Sequence, residues 1–62
     1  MGELSLKQWM GLKEITVQKM AEESGVSPAT IMNIRQGKVK PNIETLKKIA
    51  AVLDVKVDDI EI

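Results

Sequence analysis

Cysteine and histidine are both absent from this chain, phenylalanine and tyrosine are missing as well, and the only aromatic residue is Trp9. Without cysteine there is no disulfide and no thiolate nucleophile, and without either residue the ordinary Cys/His zinc sites are excluded. Serine nucleophiles have no imidazole to act as base. A core with one aromatic must be aliphatic, built from Leu, Ile, Val, Met and Ala; these residues fill helix interfaces, and most are good helix formers. Long apolar runs are lacking too: the longest reaches only from Ile49 to Leu53, far short of the ~20 residues of a membrane span. No charged, apolar and cleavable series opens the sequence. The expectation is an intracellular, soluble protein with no metal, no cofactor and no membrane partner.

Net charge is also missing, since nine Lys and Arg balance nine Asp and Glu. The balance holds only in sum. Between Ser24 and Ile43 there is no acid, yet Arg35, Lys38 and Lys40 lie there, whereas from Asp54 onward Asp58, Asp59 and Glu61 face Lys56 alone. A basic middle and an acidic end leave room for a polyanion partner that the total would argue against. With 62 residues, a compact fold exposes roughly 4,000 Å², which is one small domain spanning residues 1–62.

Start and stop signals recur at short intervals. Ser5 precedes Leu6, Trp9 and Met10 at helical spacing, giving a first helix that ends between Gly11 and Glu14. Thr16 opens a second, with Val17, Met20 and Ala21 on one face, closed by Ser24 and Gly25. Ser27 and Pro28 open a third, because serine caps a helix and proline fits its first position; Ile31 and Ile34 follow and Gly37 ends it. Asn42 caps a fourth, with Ile43, Leu46, Ile49, Ala50 and Leu53 along one side, interrupted at Asp54. The tail alternates Val55, Val57, Ile60 and Ile62 and fits a helical turn or a short strand; a turn near Val57 to Ile60 is the reading preferred here. The expected fold is all-α, five short helices. The second and third are joined by too few residues to fold back antiparallel, so they should cross steeply.

The outer side of the third helix is distinctive. With Val26, Ile31 and Ile34 turned inward, Pro28, Ala29, Met32, Asn33 and Gln36 share the opposite face, which carries no charge. Short uncharged side chains suit a helix that approaches base edges: Asn33 can pair with adenine, Gln36 can act similarly, and Ala29 or Met32 can touch a thymine methyl. Asp58 and Asp59, being adjacent, would project about 100° apart on a helix. They do not converge as an acid and base, and with Glu61 they read as a solvated acidic tail. No enzyme is expected.

Thr16, Met20-Ala21, Gly25-Val26-Ser27, Thr30-Ile31, Ile34, Gly37-Lys38, Pro41, Glu44-Thr45-Leu46, Ile49-Ala50 and Leu53 with Val55 stand at a spacing that resembles the lambda-repressor-like helix-turn-helix proteins of the Cro and repressor type, over residues 6 to about 60. The resemblance implies a motif at about 16–37 whose third helix enters the DNA major groove. It also implies a bacterial or phage transcription regulator acting in the cytoplasm, with double-stranded operator half-sites as partner and a homodimer on DNA. Base readout would then fall to Pro28, Ala29, Met32, Asn33 and Gln36. Backbone contact would fall to Thr16, Val17, Gln18, Ser27, Arg35, Gly37, Lys38 and Lys40. Candidates for self-association are Val52, Val57, Ile60 and Ile62, with Val55 and Ile60 also able to close the core.

The sequence departs from the family at several places. A phosphate-binding glutamine commonly follows the position of Thr16, but here Val17 stands there and Gln18 one step on. An arginine in the first helix often pairs with an acid near the end of the third; the matching residues are Met10 and Arg35, which form no ion pair. Pro28 and Met32 replace frequent polar readers, so the same face also suits an apolar protein surface, methionine being adaptable. A rival expectation is therefore a phage-type modulator or anti-repressor that binds a repressor protein through it.

Overall fold

A serine, threonine or asparagine opens each of the four α-helices in the computed structural model, which describes residues 4–61. The elements run β1 (Leu4–Ser5), α1 (Leu6–Lys13), α2 (Val17–Ser24), α3 (Pro28–Arg35), α4 (Ile43–Leu53), a 3-10 turn (Val57–Asp59) and β2 (Ile60–Glu61). Each cap oxygen takes an N–H of the first turn that has no partner within the helix. Ser5 Oγ accepts from Gln8 at 3.3 Å while Gln8 Oε1 accepts from Ser5 N–H at 3.0 Å. Thr16 accepts from Lys19 at 3.1 Å, Ser27 from Thr30 at 3.2 Å and Asn42 from Thr45 at 2.8 Å.

Three helices end in the same way. Beyond α1, Glu14 N–H donates to Gly11 O and Ile15 N–H to Met10 O. Beyond α3 the pair is Gly37 to Ile34 and Lys38 to Asn33, and beyond α4 it is Asp54 to Ala51 and Val55 to Ala50. These paired bonds satisfy the last carbonyls and need a left-handed residue in the middle. Gly37 takes that conformation at φ 78°, but Glu14 at 56° and Asp54 at 59° do so with a side chain. Ile15 and Val55, which follow them, turn back onto the core.

That core joins every layer: Leu6 and Met10 from α1, Met20 and Ala21 from α2, Ile31 from α3, the Leu46, Ile49, Ala50 and Leu53 side of α4, and Ile60 from β2. Met20, Ile31 and Ile49 have no exposed surface. Burial of such a side chain stabilises by roughly 1.5–3 kcal/mol, and Ile31 is the only fully buried residue of α3. The helix is thus pinned along one line and left open on its other side. The first and fourth helices cover the α2–α3 pair, which cannot bury itself.

The structure corrects the expected five helices to four α-helices among the described residues. The fifth segment is a three-residue 3-10 turn, because Asp59 folds back on Lys56 by two bonds: Asp59 N–H donates to Lys56 O at 2.9 Å and Asp59 Oδ2 accepts from Lys56 N–H at 3.1 Å. Ile60 then extends and pairs in parallel with Leu4, as Glu61 does with Ser5. Asp59 is accordingly not part of a freely solvated tail; its carbonyl also accepts the indole N–H of Trp9 at 2.8 Å. Ile60 is 7% exposed and closes the core, so it is withdrawn as a self-association residue. Val52 and Val57 are half-buried against the same core, and Ile62 lies outside the described residues.

Candidate nucleic-acid interface

The interface is built on α3. Pro28 occupies its first turn, where the missing N–H costs nothing. Ile31 is locked in the core and Ile34 packs on its edge, which fixes the rotation of the helix about its own axis. Pro28, Ala29, Met32 and Gln36 are exposed on the outer side and Asn33 is half-buried between them. Met32 is 36% exposed. This stripe contains only neutral side chains, and its polar ends, Asn33 and Gln36, lie in the last turn and just beyond it.

Two capped helix beginnings belong to the same segment, residues 16–37. The α2 start is held by Thr16 and the α3 start by Ser27, whose hydroxyl also donates to Thr30 Oγ1 at 2.8 Å. At each, first-turn N–H groups and the partial positive end of the helix favour an anion. Lys38 follows directly on α3, its N–H bonded to Asn33 O at 2.9 Å, and Lys40 is exposed on the same loop. The left-handed Gly37 makes that sharp exit, so the two lysines are carried at the end of the neutral stripe. Gln18 is exposed in the first turn of α2.

Two residues expected at the backbone set sit differently. Val17 is half-buried and packs its side chain against the core, so it offers no polar side chain to a phosphate. Arg35 is half-buried, and its Nε has no hydrogen-bond partner among the described residues, so its reach is narrower than that of a free surface arginine.

Lys7 was not among the expected residues. The structure brings it beside Arg35 and Gln36, where the three line a shallow depression. A signal existed: Lys7 precedes Met10 by three, one helical turn, and Met10 is the residue the resemblance sets opposite Arg35. The ion pair between Lys19 and Glu23, at 3.1 Å, is exposed and lies along α2, where such pairs contribute little.

The chain is similar to known proteins along most of its length. The family model of the Cro/C1-type HTH DNA-binding domain matches residues 5–62. An uncharacterized HTH-type transcriptional regulator of Methanocaldococcus jannaschii is 39% identical over 55 residues, covering 89% of this chain and 83% of that protein. An uncharacterized HTH-type transcriptional regulator of Archaeoglobus fulgidus is 32% identical over 55 residues, covering 89% and 78%. The Bacillus subtilis regulator RghRB, also described as an uncharacterized HTH-type transcriptional regulator, is 39% identical over 56 residues, but the match spans only 40% of its length. No solved structure matches the chain.

Proposed function

Because the chain belongs to the Cro/C1-type helix-turn-helix DNA-binding family, we propose that it is a sequence-specific transcription regulator that lays α3 in the major groove of duplex DNA. The observation that carries this reading is the neutral outer stripe of α3, opened by the Ser27 cap and followed by the exposed loop with Lys38 and Lys40. Asn33 reads adenine through its amide, Gln36 reads a neighbouring base edge, and Pro28, Ala29 and Met32 supply apolar contact to thymine methyls. Thr16, Ser27 and the N–H groups behind them, with Val17 N–H, Gln18, Gly37, Lys38, Lys40 and the accessible part of Arg35, hold phosphates and fix the register without specifying sequence.

On this reading residues 1–62 act as one domain, with the motif at about 16–37, in the cytoplasm, where its DNA lies. Two copies occupy half-sites about one turn, ~34 Å, apart. The exposed parts of Val52 and Val57, with Ile62, are the remaining candidates for contact between them.

Selection of bound duplexes from a random pool tests the reading. The expected result is an enriched motif with a fixed adenine that loses its preference in Asn33→Ala. A folded protein that enriches nothing contradicts it. Exposure of Pro28, Ala29 and Met32 together favours one second reading, a modulator that binds a repressor protein through the same stripe. Met32→Glu separates the two: it weakens DNA binding in either case, but abolishes capture of a purified repressor only in the second.

A further inference from the structure

Behind the basic loop, the end of α3, the loop itself, α4 and the β1–β2 pair enclose a crevice of about 290 Å³. Its walls are mostly apolar, with Ile34, Val39, Pro41, Leu46, Ile49 and Ile60 among them. Arg35 and Lys40 stand at it, against Glu61 as the one carboxylate of its lining among the described residues. Val39 remains 47% exposed at its edge, a sizeable apolar side chain left open to water. The enclosed Nε of Arg35 has no hydrogen-bond partner among the described residues. A charged donor left unpaired is costly, and an anion that takes it up recovers that cost.

An apolar hollow with a few converging polar groups is the usual form of a small-molecule site. We infer that this crevice binds a small amphipathic carboxylate, with its apolar body among the aliphatic walls and its carboxylate accepting N–H bonds from Arg35 and Lys40. At the packing of liquid water the space holds about ten non-hydrogen atoms, which fits a medium-chain or aryl monocarboxylate.

The consequence for DNA rests on the function proposed above. Arg35, Gly37 and Lys40 belong both to the crevice and to the phosphate-facing set. A bound carboxylate therefore competes with phosphate for the same cations, and the two ligands weaken each other by one common factor.

Sodium octanoate is a suitable probe, read by the methyl NMR signals of Ile34, Val39, Ile49 and Ile60. The expected result is a saturable shift confined to these residues, with a dissociation constant of order 0.1–1 mM and no comparable effect of acetate. Arg35→Gln should weaken octanoate at least about tenfold while leaving octanol unchanged. Lys40→Gln, at an exposed position that folding tolerates, should weaken octanoate in the same direction. Saturating octanoate should reduce affinity for a short duplex about fivefold, beyond the effect of equal acetate. Octanoate shifts no larger than those of acetate, or undiminished binding by both variants, overturn the site. Methyl shifts that follow protein concentration alone overturn it as well, since a second copy then fills the crevice. Unchanged DNA affinity at saturation overturns the coupling. A protein that binds octanoate but no duplex upholds the crevice and contradicts the DNA-binding function instead.

Discussion

Asn33 is the residue on which base preference turns, since it is the amide of the stripe that lies within α3 itself, Gln36 standing at the cap beyond it. Asn33→Ala should cost roughly 1–3 kcal/mol at one base pair and leave binding to unrelated duplexes nearly unchanged, as competition between matched and mismatched sites would show; equal loss on every sequence makes Asn33 a structural residue only. Glu14 and Asp54 pose a different matter at the same scale. Both hold left-handed backbone, at φ 56° and 59°, where an L side chain crowds the carbonyl. Glu14→Gly should relieve more than it adds in unfolded-state entropy, a net gain of about 0.5–1 kcal/mol, seen as a rise in Tm; a fall would mean that the side chain contributes more than the strain removes. The sequence made the helix ends visible here but not their geometry, because the usual marker, glycine, stands only at Gly25 and Gly37.

Elements in this molecule are too short to persist alone, as helices below ~12–15 residues are marginal in water. Each depends on its cap and on its neighbours. Ser27→Ala should destabilise the domain by about 1 kcal/mol in chemical denaturation, and amide exchange in α3 should quicken more than in α4; uniform quickening would show that the cap matters no more to α3 than to the rest. The caps Ser5, Thr16, Ser27 and Asn42 were legible because each acts on a residue three positions away. The parallel pair β1–β2 was not, since Leu4 meets Ile60 only after the helices have packed, and no pattern of two residues announces a strand. The same distance hid the bond from Trp9 to the Asp59 carbonyl. Trp9→Phe should cost on the order of 1 kcal/mol and loosen the 3-10 turn first, visible as broadened signals from Val57 to Asp59.

At the scale of the whole molecule, the acids stand outside α3 and the loop that follows it. The sequence showed this separation as an acid-free stretch from Ser24 to Ile43, and α3 and its following loop lie within it. What folding adds is alignment: Ile31, without exposed surface, orients the neutral stripe outward. Ile31→Asp should unfold the domain, because an unpaired buried charge outweighs the stability of so small a fold; a variant that melts like the parent would mean the inward face is misassigned. Duplex affinity should fall linearly with the logarithm of salt concentration, and Lys38→Gln and Lys40→Gln should each lower that slope by about one unit. The most direct measurement is an amide NMR titration of the protein with a duplex carrying its selected site. The account predicts the largest shifts from Ser27 to Lys40 and in the first turn of α2. Largest shifts on the exposed side of α4, where Lys47 and Lys48 stand, with α3 unmoved, would contradict it.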